Sequence, residues 1–409
     1  MKEPRIAVCL IEAAKQISVT LPSGTRVFGP ADIGTSIHLE PGERFCISAT
    51  IGIDFHWEQQ EEQQFGGDIK IIEHSEGYIS LINLVMLEDY LQSVICSEMK
   101  ATMPGELVAA HTIISRSWLL AQLEARASRP IEPPGLLPGG REYRGWTDRQ
   151  AHAGFDVCAD DHCQRYQGLG KILEPSIVAA VAATRGVVLS HSGQICDARF
   201  SKCCGGVTED FTRAWGDDPV PYLVPVFDGE ACLPQPPLSQ ELAAHEFIHD
   251  APSCWCGNPD PTLLDRVLND YDQATTDFFR WQRQLDPTRI GEWVQQKLGI
   301  DIGPVSALEV VERGLSGRIF RLLLRGERAE LIVGKELAIR RVLADSHLLS
   351  SAFVAQRTPD GFVLTGAGWG HGVGLCQIGA AVMAATGYDH ESILAHYYPG
   401  TTLRRLYPS

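Results

Sequence analysis

The stretch LEDYLQSVICSEMKATMPGELVAAHTIISRSWLLAQ, residues 87–122, decides how the rest of the chain is read. It predicts two helices meeting at Lys100–Met103, with Pro104 in the first turn of the second, where a missing N–H costs nothing. In the first helix Leu87, Leu91, Val94 and Ile95 recur at i, i+4, i+7 and i+8 and define one apolar face. At roughly 100° per residue, Glu98 falls in the middle of that face. An unpaired buried charge is expensive, so its carboxyl must be neutral, paired or functional. The apolar residues of the second helix (Leu107, Val108, Ile113, Ile114, Trp118, Leu119, Leu120) go all the way round, which predicts burial on most sides. Arg116 sits there among small residues, Ala109 and Thr112, and needs an anion. Glu98 is the nearest candidate in sequence, and the plainer reading is a structural Glu–Arg pair locking the two helices.

The chain is long enough, at 409 residues, to bury a large core and to form two or more domains or subdomains. A hydrophobic fraction of 44% and a charged fraction of 21% exclude wholesale disorder. A formal net charge of −16 argues against a nucleic-acid partner and against a polybasic membrane contact, and favours a neutral substrate. No apolar run approaches the ~18 residues of a membrane span. The opening MKEPRIAVCLIEAAKQ is too short and too acidic for a signal peptide, so the chain is either cytosolic or lacks an export signal that has been removed. Twelve cysteines are many for a reduced cytosolic enzyme, but the count does not separate disulfides from metal ligands or free thiols.

Along the chain, residues 4–75 look β-rich, with strands at 16–21, 69–72 and 78–84, and the Glu/Gln run Glu58–Gln64 reads as a solvated hairpin tip. A Pro/Gly-rich loop, Arg129–Arg141, follows the two helices, and Ser176–Thr184 reads as a helix. Prolines, a CWC tripeptide and helical patterning set 232–304 apart as an inserted helical element. Strands return over 305–345. The chain ends in a glycine-dense loop, a helix from about Cys376 and a last helix from Asp389 stopped by Pro399-Gly400.

Four constellations could carry chemistry. Glu98, lone and in apolar surroundings, could have a raised pKa and act as a general acid. GAGWGHGVG, 366–374, has five glycines in nine residues, which lets a backbone approach a ligand closely; Trp369 offers a stacking face and His371 a titratable ring. In FSKCCGGVTEDFTRAW, 200–215, Ser201, Lys202, Gly205, Gly206 and Thr208 could line a polar cleft, or the glycines could mark a bulge. Finally, His152, Cys158, His162 and Cys163 give the ligand types of a tetrahedral zinc. The adjacent His162-Cys163 pair is an uncommon spacing, and a 158–163 disulfide or free thiols are equally open. Four protein ligands would close the shell and make a zinc structural.

LEDYLQSVICSEM with ISRSWLLA resembles the opening motif of the SpoIID/LytB family. CADDHCQRYQG, SKCCGGVTEDFTRAWG with PYL, SGRIFRLLLRG, LLSSAF, GWGHGVGLCQIGAAVMA and ILAHYYPGTTL look like its later blocks in the same order, over roughly Gly77 to Leu406. Cys203-Cys204 before the glycines and the CWC of the insertion depart from the commoner pattern. The resemblance implies a peptidoglycan lytic transglycosylase that cleaves the β-1,4 link between N-acetylmuramic acid and N-acetylglucosamine and leaves a 1,6-anhydro end. The preferred substrate would be glycan already stripped of peptides by an amidase. It implies Glu98 as the catalytic acid/base, Arg116 as a cleft arginine, and Ser201, Lys202, Gly205, Gly206, Thr208, Trp369, His371 and Gln377 along the glycan. It also implies a zinc on His152, Cys158, His162 and Cys163, with no cofactor needed for the chemistry. A single carboxylate suffices because the sugar's own C6 hydroxyl is the nucleophile, whereas ordinary glycosidases need two.

The expected architecture is therefore α+β, with mixed sheets, buried helices and several subdomains around a central cleft. The expected divisions are a β-rich region (1–75), a catalytic core (76–231), a helical insertion (232–304) and a C-terminal part with the GWGHGVG loop (305–409). The expected partners are peptidoglycan glycan strands and a cell-wall amidase, in an exported, cell-wall-associated protein. The rival reading is a non-catalytic, LytB-like amidase activator or glycan-binding module.

Overall fold

Strand Tyr78–Met86 runs without a break into helix α1 (Leu87–Glu98), so the sheet fixes where the first helix starts. The computed structural model describes residues 2–52, 58–125, 134–145, 152, 154–172, 174–257, 259–270 and 272–408. Ile79, Ser80, Leu81 and Ile82 are all buried, which is why this strand reads as a continuous apolar run. It lies at the centre of a five-stranded sheet, antiparallel to Arg5–Ala14 and Asp68–Ser75. The opening residues, placed in the β-rich region 4–75 but given no strand of their own, thus form a core strand. On its far side Val157–Cys158 pairs in parallel and sets Cys158 opposite Cys9.

A second sheet is built from Gly24–Phe28, Ile17–Leu21, Phe45–Ile51 and Gln59–Phe65. The last of these corrects the expected hairpin tip at 58–64. It is an edge strand, whose outer backbone groups tolerate polar neighbours, and it still buries Gln63 and Phe65 on its inner face. Of the loop expected at 129–141, residues 129–133 lie outside the described residues and Gly135–Leu136 is a short strand. Glu142–Arg144 then joins Glu330–Gly334 in parallel, at the margin of a sheet completed by Ile319–Gly326 and Val305–Arg313.

The stretch expected to be a helical insertion holds Glu241–Asp250, Pro261–Val267 and Pro287–Leu298, but also a strand, Arg280–Leu285. That strand pairs along its full length with Gly361–Ala367, so the segment is woven into the C-terminal sheet. Trp281 stands opposite Gly366, where any Cβ would collide with the indole. With helices interleaved among mixed and antiparallel sheets, the chain is α+β. Among the described residues no helix is long and apolar enough to cross a membrane.

Helix α2 (Gly105–Ala125) is buried from Leu107 to Leu120 apart from Ala109, as its all-round apolar sequence requires. Arg116, fully buried within it, does not meet Glu98. Its guanidinium forks Glu88 at 3.0 and 2.6 Å, and Nη1 donates to the Val187 carbonyl at 2.9 Å. Glu88 also accepts from the Tyr407 hydroxyl at 2.6 Å and the Gly186 N–H at 3.2 Å. One bidentate pair therefore ties both helices to the chain's last residues. The sequence reading missed Glu88 because it sits beside the apolar stripe of α1, not in it. Burial pushes the Glu88 pKa up, but the Arg116 fork outweighs it and holds the carboxyl below its usual range. This stabilisation is present above the ordinary carboxylate range and is lost as pH falls through the depressed folded value.

Removing one partner of such a pair strands a buried charge. Arg116→Ala is expected to destabilise the fold by about 3–5 kcal/mol in urea unfolding at neutral pH, and Glu88→Gln/Arg116→Met to recover most of it. A single variant within ~1 kcal/mol of wild type would remove the pair from the framework.

Candidate functional site

Glu98 is the last residue of α1, and the chain turns to extended backbone at Met99. The residue keeps only 8% of its surface exposed, as its place on the apolar face demands. Its Oε1 accepts the backbone N–H of Arg165 at 3.0 Å, and among the described residues no donor meets Oε2. Burial raises the Glu98 pKa; Arg165 and Lys202 pull it down and Asp161 pushes it up, with the net direction upward.

Around this carboxyl stands an ionic lattice that sequence reasoning largely missed. Lys202 Nζ donates to Asp272 at 2.7 Å and to the Glu98 carbonyl at 3.3 Å. Arg165 reaches the same Asp272 at 3.2 Å and Asp161 at 2.7 Å. Asp272 is fully buried; desolvation pushes its pKa up, but Arg165 and Lys202 hold it low. Asp272 opens a short 3-10 turn of the insertion, Asp272–Ala274, with no flanking motif, and Arg165 and Asp161 were visible only inside the CADDHCQRYQG block.

Two segments that the resemblance places along the glycan are joined to each other by backbone pairing. Phe200–Ser201 pairs in parallel with Leu375–Cys376, and Cys203 exchanges backbone hydrogen bonds with Trp369 at 3.1 and 2.8 Å. Gly205 and Gly368 face each other backbone to backbone, both with positive φ, too close for any Cβ. Arg318, fully buried, locks the two loops by donating to the carbonyls of Cys204 at 3.0 Å and Gly370 at 3.1 Å. A Cβ at Gly372 would strike its guanidinium. Ser201, with Gly370 packed on its Cβ, buries a hydroxyl that has no hydrogen-bond partner among the described residues. Ser201 thus leaves a buried polar atom unsatisfied one residue before Lys202 in the chain.

Several expected ligand contacts are corrected. Arg116 belongs to the Glu88 pair, away from this lattice. Thr208 is fully buried, its hydroxyl accepting the Val226 N–H at 2.8 Å, and Gly206 packs on the Phe247 ring. Gln377 is buried and meets His111 Nε2 at 2.9 Å. Burial and then the Lys202 charge lower the His111 pKa to about 3, so that ring is neutral. The Trp369 face is covered by Phe278, stacked at 5.4 Å. His371 accepts the Val373 N–H at 3.0 Å and meets Trp215 edge-on at 4.5 Å. Burial and the charges of Arg199 and Arg318 push its pKa well down, and its Nδ1 is committed to the turn at Val373.

His152, Cys158, His162 and Cys163 converge, with donor atoms all within 4.8 Å of one another. His152 Nε2 lies 3.2 Å from Cys163 Sγ, and His162 Nδ1 lies 3.5 and 3.9 Å from the two sulfurs. The loop holding them leads directly into Arg165. A separate cavity of about 410 Å³, lined by residues including Arg144, Arg213, Asp217, Arg321 and Lys335, lies elsewhere on the molecule.

Residues 75–191 match the family model described as Stage II sporulation protein (SpoIID), and residues 209–374 match a domain of unknown function (DUF8618). An uncharacterized protein of Brachyspira hyodysenteriae is 23% identical over 344 residues, 83% of this chain and 72% of that protein. Stage II sporulation protein D of Bacillus subtilis is 25% identical over 322 residues, 78% of this chain and 74% of that protein. The Bacillus subtilis amidase enhancer is 23% identical over 249 residues, 55% of this chain but 32% of the enhancer. Over residues 75–191 the chain thus resembles the SpoIID family, and at 24–25% identity it is similar to two Stage II sporulation proteins D.

A group whose folded pKa is raised keeps its proton in the fold, so stability falls as pH climbs through the raised value. Glu98→Gln is therefore expected to be at least as stable as wild type at neutral pH. The gap should widen with pH in thermal unfolding. A Gln variant clearly less stable than wild type would mark Glu98 as an ionised structural carboxylate.

Proposed function

We propose that this chain is a peptidoglycan lytic transglycosylase in which Glu98 serves as both acid and base. The observation that carries the reading is the setting of that carboxyl: apolar burial, one oxygen on the Arg165 N–H, and an upward pKa. Protonated Glu98 gives its proton to the glycosidic oxygen between N-acetylmuramic acid and N-acetylglucosamine, and the C1–O bond breaks with oxocarbenium character. The resulting carboxylate is held by the Arg165 N–H and faces the charges of Arg165 and Lys202. It then takes the proton of the muramyl C6 hydroxyl as that oxygen closes on C1, so the 1,6-anhydro end forms without water and Glu98 regains its starting state. Asp161 and Asp272, each tied to a cation, are unsuited to the nucleophilic role of a second glycosidase carboxylate. The orphan Ser201 hydroxyl would bind the glycan. The substrate would be glycan whose stem peptides an amidase has removed, outside the cytoplasm. Each muramyl residue then carries a lactyl carboxylate, so the net charge of −16 does not by itself select it.

The donor set His152, Cys158, His162 and Cys163 suits one zinc. With four protein ligands it supplies structure, not chemistry, and it would set the loop that delivers the Arg165 N–H to Glu98. A second reading, a non-catalytic activator of a cell-wall amidase, is favoured by the near-closure over Glu98 and by the similarity to the amidase enhancer.

The test is incubation with peptide-free glycan strands and mass spectrometry for 1,6-anhydromuramyl ends. Wild type should form them, Glu98→Gln should lose at least about 100-fold, and activity should fall as pH rises through the Glu98 pKa. Lys202→Met removes a charge that lowers this pKa, so it should move the alkaline limb upward. No product from wild type, or equal product from Glu98→Gln, would leave the activator reading.

A further inference from the structure

We propose that Cys204, Cys256 and Cys376, together with Asp228, form a second metal site, a structural zinc centre separate from the His152–Cys163 group. The four residues come from distant segments: the turn after Phe200–Ser201, the loop before the insertion, the CWC tripeptide, and the N-cap of helix Gln377–Ala385. All are buried, and their donor atoms lie within 4.8 Å of one another. Cys204 and Cys256 place their sulfurs 3.7 Å apart. Four ligands at Zn–S distances of about 2.3 Å set tetrahedral sulfurs about 3.8 Å apart. A disulfide needs about 2.05 Å, and an iron–sulfur cubane holds its cysteines on separate irons, wider than a single ion allows.

The surroundings are those of thiolates held for a cation. The Cys204 and Gly379 N–H groups donate to Cys376 Sγ at 3.2 and 3.4 Å, and the Gly206 N–H donates to Cys204 Sγ at 3.4 Å. Asp228 is oriented on both oxygens, by the Cys256 N–H at 2.7 Å and the Tyr397 hydroxyl at 2.5 Å, and each oxygen keeps a lone pair for a metal. Gly379 leaves the room: a Cβ there would collide with Asp228 and Tyr397. Plain packing of apolar thiols accounts for buried cysteines, but not for a carboxylate aimed at three of them, since a buried acid must be paired or coordinated. Zinc enters as the thiol protons leave. The Arg280 guanidinium, bonded to the Gly205 carbonyl at 3.0 Å and within electrostatic reach of these sulfurs, partly offsets the anionic centre. Such a centre clamps the inserted segment onto the core directly behind Ser201 and Lys202, whether or not the protein cleaves glycan.

Metal analysis of the purified full chain, with zinc-edge X-ray absorption, tests this. Two equivalents are expected, with five sulfur ligands among eight: two from Cys158 and Cys163 and three from Cys204, Cys256 and Cys376. If the first group holds no zinc, one equivalent with three sulfurs is expected. Cys256→Ser should lose one equivalent that Cys158→Ser keeps. A wild-type chain with a single zinc and only two sulfur ligands, or peptide masses that join Cys204, Cys256 or Cys376 in a disulfide, would overturn the proposal even if the serine variant fails to fold.

Discussion

A carboxyl with one oxygen on a backbone N–H and almost no water around it either keeps its proton or finds a cation. Around Glu98 the cations are already engaged. Asp272 stands between Arg165 and Lys202 and accepts from both, so neither charge is free to settle on Glu98. The arrangement leaves the carboxyl inclined to hold its proton, yet keeps two positive groups within reach once the proton is given up. Without Asp272, Lys202 and Arg165 would be the natural partners of an ionised Glu98, and the acid would be lost to a structural salt bridge.

The rest of the fold serves that balance. The central sheet starts α1 at a fixed register, which puts Glu98 at its inner end. The strand Val157–Cys158 hangs the His/Cys loop from the same sheet, and that loop delivers Arg165. From the other side, the short parallel ladder 200–201 with 375–376 and the Arg318 strut fix Ser201 and Lys202. The inserted segment supplies Asp272 and, through Arg280–Leu285, is held to the C-terminal sheet. The Glu88–Arg116 pair bears none of the chemistry; it fastens the two helices on which the geometry rests.

The grouping of the SEM, SKCCGG and GWGHGVG segments came only from the family resemblance, and helix Glu336–Val342 replaces part of the strands expected over 305–345. The two helices of 87–125, the helices near 176–184, 377–385 and 390–397 and strands such as 17–21 and 78–86 were legible in sequence, because apolar periodicity and glycine punctuation encode them. Glu98 was legible for the same reason: one acid in the middle of an apolar face is a conflict visible without coordinates. Partners were not. Glu98 was the nearest anion to Arg116 in sequence, and the resemblance put Arg116 in the cleft, whereas its anion is Glu88, which lies beside the stripe and is reached only in three dimensions. The Trp369 face and the His371 ring carry the right chemistry for a cleft, but Phe278, Trp215 and neighbouring arginines, all remote in sequence, close around them. Asp272 had no local pattern at all, since an ion pair formed across 70 and 107 residues leaves no periodic trace.

The most direct test is a titration of the Glu98 side-chain carboxyl by carbon-13 NMR, using Glu98→Gln to assign the resonance. The account expects a midpoint above the ordinary glutamate value of about 4.3, climbing further in Asp161-intact protein when Lys202 is replaced by Met. A midpoint at or below the ordinary value would contradict it, because an ionised Glu98 could not begin a reaction by giving up a proton.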